Sequence, residues 1–291
     1  MERLIGVDIG GTKTRVGAVW NGKILTRRDF PTRGLAEICA VIREVLHEVG
    51  WEKPDAIGIG APALVDMHQG RILCAPNLPP YWNGMSVVDE LKNVFACPAY
   101  LGNDANLAAL GELVYGWQAT DFLYVTWSTG IGAGIVAAGR VIWGVNGQAG
   151  EIGHLPLQPD GPQCNCGKYG CLEALAGGAA LCARARERLG QALSAKELVE
   201  RARQGEPGSL ALIEEACTAM GQGLAIAAEL LDPEMIIIGG GFTASWDFLG
   251  PKVMAVLARF SHAHPKVELA KLGDNVGVLG AAALPFHFPF R

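Results

Sequence analysis

The segment LIGVDIGGTKTRVGAVWNGKIL, residues 4–25, decides the predicted fold because its pattern returns later in the chain. It contains an apolar strand, a glycine-rich turn, a second strand, a tight Asn21-Gly22 turn and the start of a third strand. Residues 122–144, FLYVTWSTGIGAGIVAAGRVIWG, repeat this order as a degenerate copy. Two copies of one hairpin pattern predict two similar domains around a cleft.

Strand-like and helix-like segments alternate along the rest of the chain, which is typical of an α/β fold. Helical spacing covers residues 35–50 and a long apolar segment from Met220 to Leu231, which ends before Pro233. The apolar run MIIIGGG is interpreted as a buried strand that enters a triple-glycine turn. The predicted fold class is therefore α/β.

The boundary between the two predicted domains is placed near Trp117. Residues 1–117 are expected to form a smaller N-terminal domain, joined by the C-terminal segment 280–291, and residues 118–279 a larger C-terminal domain. A chain of 291 residues is long enough for two domains with separate cores. The terminal FHFPFR carries no motif, so only a packing role is assigned to it.

Composition and charge exclude several classes of protein. Half of the residues are hydrophobic and 18% are charged, so the chain is not a disordered one. A net charge of -5 argues against a nucleic-acid or anionic-membrane partner. The uninterrupted apolar runs are shorter than the roughly 20 residues that cross a bilayer, and Asp8 lies where a secretion signal would be apolar. A cytoplasmic location is expected.

The chain has eight cysteines, which in a reducing compartment are thiols or metal ligands more often than disulfides. Three of them and one histidine lie within residues 154–171 and supply three sulfur ligands and one nitrogen ligand, the set that suits a tetrahedral structural Zn²⁺. A redox or incidental cysteine group is the alternative. These four residues are His154, Cys164, Cys166 and Cys171. The single cysteines on apolar segments are interpreted as small core residues: Cys39, Cys74, Cys97, Cys182 and Cys217.

Two glutamates flank this group, Glu151 before the histidine and Glu173 after the last cysteine. A zinc ion with four protein ligands has no open position for chemistry, so its expected work is to hold the two glutamates in place. Carboxylates suit a ligand with several hydroxyls because each accepts two or more hydrogen bonds. The alternative is that both glutamates are ordinary surface residues.

Glycine-rich turns follow predicted strands at DIGGTK (8–13), STGIGAG (128–134) and GGG (239–241). Glycine allows backbone N–H groups to approach phosphate oxygens, and successive N–H groups form an anion nest; ordinary hairpin turns are the alternative. Asp8, at a strand end, is suited to holding Mg²⁺ through water. The candidate nucleotide-binding residues are Asp8, Gly10, Gly11, Thr12, Lys13, Ser128, Thr129, Gly130, Gly132, Gly239, Gly240 and Gly241.

In GNDANLAALGELVYG, Asp104 follows a short strand and precedes an apolar helix. One interpretation is a helix N-cap, which aspartate performs well. The other is a catalytic base at a strand end that opens into the cleft, where α/β active sites usually lie. Phosphoryl transfer to a hydroxyl requires such a positioned carboxylate.

The motifs DIGGTK, GNDAN, STGIGAG, GEIGH, CNCGKYGCLE and IIIGGGF stand in the order found in the ROK family of sugar kinases, which the whole chain resembles. The ATP-dependent glucokinases within the family are the most similar. The resemblance implies an actin/hexokinase-type pair of domains whose phosphate turns face each other across a cleft. It also implies transfer of phosphate from ATP, with Mg²⁺, to the C6 hydroxyl of a hexose, glucose before others.

The resemblance also implies roles for individual residues. Asp104 becomes the base, and Gly239 to Gly241 are expected near the adenosine. The residues expected to bind the sugar are Asn77 (in APNLP), Asn103, Asp104, Glu151, His154 and Glu173. The chain departs from the family pattern at Ala63 and Leu64, where a Gly-Pro pair is usual, which questions a backbone contact to the sugar there.

Other functions are compatible with some of the same motifs. N-acetylmannosamine kinases share the cysteine block and the paired glutamates, and polyphosphate is an alternative donor. A sugar-sensing repressor would need a DNA-binding segment ahead of Asp8, and a non-catalytic sugar sensor would be expected to lose the base or the turns. The expected partners are a sugar and ATP, with no nucleic acid or membrane, and the family suggests a homodimer.

Overall fold

A computed structural model describes residues 2–288 of the chain, and within that range strands and helices alternate as predicted. The strands are β1 Arg3–Ile9, β2 Lys13–Trp20, β3 Lys23–Pro31, β4 Ala56–Ala61, β5 Leu64–Asp66, β6 Arg71–Cys74, β7 Ala99–Asn103, β8 Phe122–Trp127, β9 Ile131–Ala137, β10 Arg140–Ile142, β11 Met235–Gly239 and β12 Lys266–Leu269. The helices are α1 Leu35–Glu48, α2 Val87–Phe95, α3 Asp104–Tyr115, α4 Leu172–Ala176, α5 Gly178–Leu189, α6 Ala195–Arg203, α7 Pro207–Leu231, α8 Trp246–Phe260 and α9 Val276–His287. The predicted α/β class is confirmed.

The described chain divides into two compact units. The first unit contains residues 2–120, 134–149 and 270–288, and the second contains residues 121–133 and 150–269. The domain limits expected from the sequence remain a prediction.

The first sheet has the strand order β3-β2-β1-β4-β7. Strands β1, β2 and β3 are antiparallel neighbours, as the repeated hairpin pattern predicts, and Asn21 and Gly22 form their tight turn with positive φ. Strands β1, β4 and β7 run parallel. Asp8 lies opposite Gly60, and Gly60 opposite Gly102, so the carboxyl ends of all three strands meet at one edge of the sheet.

Helix α9 lies directly on β1 and β4 because two strand glycines leave room for its backbone. A Cβ on Gly6 would overlap the carbonyl oxygen of Val278, and a Cβ on Gly58 would overlap that of Ala281. The close approach buries the apolar face of the sheet under the helix. Of the terminal FHFPFR, Phe286 and His287 end α9, whereas the last three residues lie outside the described part of the chain.

The second sheet has the order β10-β9-β8-β11-β12. Within the second unit, β8, β11 and β12 run parallel, and Gly239 lies opposite Thr126. The glycine-rich turn after β8 and the triple glycine after β11 therefore leave the sheet at the same edge. MIIIGGG is a buried strand, as predicted.

Helix α7 differs from its prediction, since it begins at Pro207 and not near Met220. By length and composition it could cross a membrane, yet 61% of its most apolar window is buried inside the protein. Such a helix forms the core of its unit as readily as it spans a bilayer. Its sequence contains no long uninterrupted apolar run, because glutamates and glycines lie among its apolar residues. The search for such runs therefore did not reveal the full length of α7.

The prediction for the single cysteines is partly wrong. Cys39, Cys97 and Cys217 are buried, but Cys182 is half-buried and Cys74 is exposed. Cys74 lies at the end of β6, in a two-stranded sheet with β5. Strand alternation would place Cys74 on the same face as the buried Ile72. The pairing register with β5 shifts between these two residues, so the alternation is interrupted before Cys74.

Candidate active site

Asp104 occupies the first position of α3, directly after β7. The cap of this helix is Asn103, whose Oδ1 accepts the backbone N–H groups of Ala105 at 3.0 Å and Asn106 at 3.2 Å. The interpretation of Asp104 as the N-cap is therefore wrong. Its carboxylate lies in the first turn, where the helix dipole favours the ionised form. Oδ1 of Asn103 accepts the N–H groups at the start of the helix. The side-chain NH₂ group of Asn103 can therefore donate to a ligand.

The carboxylate of Asp8 stands at the same sheet edge, at the end of β1. The guanidinium of Arg15, its partner across the hairpin, donates to Oδ2 of Asp8 at 3.0 Å. Burial raises the pKa of Asp8, and the charge of Arg15 opposes that shift. A Cβ on Gly277, in α9, would overlap the carboxyl group, so the helix begins directly against it.

The first glycine turn is closed by a bond from the N–H of Gly10 to the carbonyl of Lys13 at 2.9 Å. An anion nest at this turn must therefore use the N–H groups of the residues that follow Gly10. Asn77 lies against the turn, since a Cβ on Gly11 would be 3.2 Å from its carbonyl oxygen. Nζ of Lys13 lies 3.6 Å from Oδ2 of Asp29, with the lysine half exposed. Asp8, the turn and Asn77 are thus brought together in the first unit.

The second glycine turn is built in a similar way, with the N–H of Ser128 bonded to the carbonyl of Gly130 at 3.0 Å. The first N–H groups of α5, from Gly178 and Ala179, donate to the carbonyls of Ser128 and Thr129, each at 2.9 Å. The N-terminus of α5 therefore fixes the carbonyls of Ser128 and Thr129 in the turn.

The triple glycine packs beside this second turn. Gly240 has φ of 88°, and a Cβ there would overlap the backbone of Trp127, so only glycine fits. Trp127 also stacks on Phe242 with ring centroids 4.7 Å apart. Gly241 lies beside the hydroxyl of Ser128, 3.8 Å from a Cβ position. In the second unit the predicted phosphate turn and the predicted adenosine-side glycines are therefore neighbours.

The cysteine block and its histidine form one cluster. The candidate ligand atoms of His154, Cys164, Cys166 and Cys171 all lie within 4.8 Å of one another. Nδ1 of His154 is 3.7 Å from Sγ of Cys164, and Sγ of Cys166 is 3.7 Å from Sγ of Cys171. A tetrahedron with Zn–S bonds of about 2.3 Å has sulfur–sulfur edges of about 3.8 Å. The donor set and its spacing fit a structural zinc ion.

Two of the three cluster thiols are shielded from solvent, whereas Cys166 is exposed. Cys171 is fully buried and Cys164 is 5% exposed. Burial raises the pKa of both thiols, so as free thiols they are neutral. A cation that converts buried thiols to thiolates is the usual reason for such a set to converge.

Glu151 lies beside the second ring nitrogen of His154, and Glu173 is near enough to Glu151 for its charge to act on that carboxyl group. Nε2 of His154 is 3.8 Å from Oε2 of Glu151. Burial raises the pKa of Glu151; the nearby charge of Glu173 adds to the shift, and His154 opposes it. The structure therefore brings Glu151, His154 and Glu173 into one acidic group in the second unit, with Nδ1 of the imidazole toward Cys164.

Backbone hydrogen bonds join the segments that carry these residues. The N–H of Leu172 donates to the carbonyl of Leu155 at 2.9 Å, and the N–H of Leu157 donates to the carbonyl of Gly170 at 2.9 Å. The sequence predicts a metal as the brace between the two segments. The structure shows that backbone hydrogen bonds also join the two segments.

Several contributors to the site were missed by sequence reasoning. Arg15 was one, although the hairpin register places it opposite Asp8. Gly177 and Gly178 also contribute to the site and were not predicted. They form a glycine pair directly after the CLEALA segment, which is the sequence feature that could have indicated them. At Ala63, which departs from the family pattern, the N–H donates to the carbonyl of Ala61 at 2.9 Å, so it is already used.

The fold and the site define an α/β protein of the sugar-kinase class, with glycine turns at parallel strand ends, a carboxylate after one such strand, and an acidic group braced by a Cys/His cluster. The family model described as "ROK family" matches residues 4–287. The chain belongs to the ROK family.

Individual relatives extend over almost the whole chain. A glucokinase of Thermotoga maritima is 34% identical and covers 97% of this chain and 96% of its own. An N-acetylmannosamine kinase of Vibrio vulnificus is 33% identical, with coverage of 99% and 98%. The solved structure of a ROK family glucokinase from Streptomyces griseus, in complex with glucose and AMPPNP, has a TM-score of 0.82 at 33% identity and covers 97% and 98% of the two chains.

These similarities test three predictions made from the sequence. The family resemblance is confirmed, and so is the actin/hexokinase-like fold. The enzyme class, sugar kinase, is confirmed as well. The residue roles remain predictions, and they enter the proposed function.

Proposed function

We propose that this protein is an ATP-dependent hexose kinase that phosphorylates glucose at the C6 hydroxyl, with Asp104 as the catalytic base. One observation carries the proposal: Asp104 lies at the sheet edge that also carries Asp8 and the first glycine turn. A base and a phosphate-binding turn at one edge are what transfer to a hydroxyl requires.

The groups around Asp104 support proton transfer from a sugar hydroxyl. The carboxylate accepts the proton as the hydroxyl oxygen bonds to the terminal phosphorus, while the bond from that phosphorus to the β–γ bridging oxygen breaks and ADP leaves. The dipole of α3 favours the ionised form of the carboxylate before the reaction. The amide N–H groups of Asn103 donate to a neighbouring sugar hydroxyl. Since the cap fixes the Asn103 side chain through its Oδ1, that donor has a defined direction.

The nucleotide is assigned to the glycine turns. Backbone N–H groups after Gly10 and after Ser128 would cradle the phosphates, and the triple glycine would lie by the adenosine. Bound Mg²⁺ would neutralise charge on the phosphates, and Asp8 would hold it through water. Because Arg15 already pairs with Asp8 at 3.0 Å, the carboxylate has a fixed orientation toward that ion.

The sugar hydroxyls around carbons 1 and 2 are assigned to Glu151, His154 and Glu173. Zn²⁺ would be held by Nδ1 of His154 and the three cluster thiols, which leaves Nε2 for the sugar. The ion supplies no chemistry of its own and holds the pocket rigid. Asn77, beside the first glycine turn, would complete the sugar site.

N-acetylmannosamine is the second candidate substrate. The acidic group and the Cys/His cluster serve either sugar, and the Vibrio vulnificus relative named for this activity covers nearly the whole chain. Glucose is preferred because NLPPYWNGM, residues 77–85, is similar to the glucokinase form of this loop, and because the Thermotoga maritima relative is named glucokinase.

We further propose a cytoplasmic homodimer that acts in glycolysis. The acidic net charge and the reduced cysteines support the location. Exposed apolar side chains in the second unit support self-association, among them Leu230 at 76% and Phe260 at 50% exposure.

The experiment is a substrate panel with ATP and Mg²⁺, in which kcat/KM is measured for glucose, mannose, N-acetylglucosamine and N-acetylmannosamine. The proposal expects the highest value for glucose and glucose 6-phosphate as the product. A higher value for N-acetylmannosamine would transfer the assignment to the second candidate. ATP consumption without any sugar phosphate would contradict both.

A further inference from the structure

The peptide of Ile131 is held from two sides by the segments assigned to the sugar. Ile131 is the first residue of β9, directly after the second glycine turn. Its N–H donates to Oε2 of Glu173 at 2.9 Å. Its carbonyl oxygen lies against Gly153, where an added Cβ would overlap it. One segment contributes a carboxylate and the other a side-chain-free backbone.

The carboxylate of Glu173 also fills the space beside the turn itself. A Cβ on Gly130 would overlap Oε2 of Glu173, so the acid occupies the position that a side chain would take. The carbonyls of Ser128 and Thr129 in the turn accept the first N–H groups of α5. The turn therefore has two supports, the backbone at the N-terminus of α5 and the side chain of Glu173.

Glu173 is itself firmly placed. It lies on the short helix α4, whose last two carbonyls are fixed from outside the helix. Nε1 of Trp127 donates to the carbonyl of Ala176 at 2.8 Å, and Nη1 of the buried Arg184 donates to that of Leu175 at 2.7 Å. A carboxylate on so restrained a helix loses little conformational freedom when it binds the turn.

We propose that Glu173 is a positioning residue for the second glycine turn, in addition to its contact with the sugar. The inference rests on the proposed function, in which this turn binds the nucleotide phosphates. A hydrogen bond to a carboxylate is stronger than one between neutral groups, so Glu173 holds the turn in its binding form before the nucleotide arrives.

The same carboxylate then links the two substrates. Oε2 accepts the N–H of Ile131, and Oε1 is assigned to a sugar hydroxyl. A sugar that orders the carboxylate also orders the turn, and binding of one ligand favours the other by the same factor in both directions.

The test measures the affinity of sugar-free protein for the ATP analogue AMPPNP with Mg²⁺, by calorimetry. Loss of a charged hydrogen bond predicts that Glu173→Ala raises Kd about 5- to 30-fold. Glu173→Gln keeps an acceptor oxygen and should stay within about threefold of wild type. Glu173→Asp keeps the charge but is one methylene too short, so it should resemble Glu173→Ala, which covers the case that the alanine variant does not fold.

The matched control is Glu151→Ala, which removes the other sugar glutamate and no contact to the turn. It should weaken glucose binding while AMPPNP binding stays within twofold. Wild-type affinity for AMPPNP in both Glu173→Ala and Glu173→Asp would overturn the inference, as would an equal loss in Glu151→Ala. Wild-type protein that binds no AMPPNP would instead overturn the proposed function, and the inference with it.

Discussion

Nδ1 of His154 lies 3.7 Å from Sγ of Cys164, so the imidazole faces the thiols with one nitrogen and Glu151 with the other. A single ring thereby connects a metal-type cluster to the acidic group assigned to the sugar. In a histidine, the partner of one ring nitrogen fixes the orientation of the ring. That partner also determines whether the second ring nitrogen is free to bind a ligand. A change in the cluster should therefore weaken binding of the sugar.

Substitution of one cluster thiol tests this connection. Cys166→Ser should release the bound metal and raise KM for glucose by about tenfold or more, because the acidic group loses one of its braces. Fold should be largely kept, since backbone bonds between Leu155 and Leu172 and between Leu157 and Gly170 remain. Zinc content by mass spectrometry and KM are measured together.

Cys74→Ser is the matched control, because Cys74 is an exposed cysteine outside the cluster. It should change neither metal content nor KM. A Cys166→Ser protein that is free of metal and retains the wild-type KM would show that the cluster does not support the sugar site.

A second prediction concerns the fit of Gly153 against Ile131. Gly153→Ala should lower the free energy of unfolding by about 1–3 kcal/mol, because the added methyl group forces backbone apart. It should also raise KM for ATP through the displaced turn. Gly34→Ala serves as the control, since a Cβ there meets no atom within 4 Å. Denaturant titration and steady-state kinetics check both effects, and equal stability of the two variants would contradict the packing argument.

Glu112 provides a prediction on pH and stability. Burial raises its pKa from the ordinary 4.5, although backbone groups including the N–H of Leu272 at 3.0 Å, and the charge of Lys271, oppose the shift. A carboxyl whose native pKa is raised contributes its stability below its unfolded pKa and loses it as pH rises through the native pKa. The wild type should therefore lose stability from about pH 4.5 upward at this group.

Glu112→Gln removes this titration and keeps an acceptor for Leu272. The stability of the variant minus that of wild type should be larger at pH 7 than at pH 4.5. Thermal unfolding of both proteins at both pH values measures this difference. Glu44→Gln, which changes an exposed glutamate of α1, is measured alongside as the surface control. A difference that runs in the opposite direction would mean that the hydrogen bonds outweigh burial.

Local rules predicted much of the fold. Alternation and the Asn21-Gly22 turn gave the hairpins. Ser194 and Glu197 have the Ser-x-x-Glu spacing that is typical of a capping box, and they form one at the start of α6. The spacing of the cysteine block predicted the cluster because its ligands lie close in sequence. These features depend on neighbours within a few residues, where steric and hydrogen-bond preferences decide the outcome.

Features that depend on distant packing were not predictable. Ile131 and Glu173 lie 42 positions apart, and nothing near either one in sequence signals their bond. At Asn103-Asp104 two good capping residues stand side by side, and the path of β7 into α3 decides that asparagine caps the helix. The first half of α7 was missed because tertiary burial, more than an apolar run, stabilises it.

The most direct measurement of the central claim is turnover of Asp104→Asn with glucose, ATP and Mg²⁺. We expect kcat to fall about 10²- to 10⁴-fold while the glucose dissociation constant stays within about threefold, because only the proton acceptor is lost. Asp89→Asn, which changes an exposed aspartate in the first turn of α2, should keep wild-type kcat. An Asp104→Asn protein whose kcat is within twofold of wild type would contradict the account.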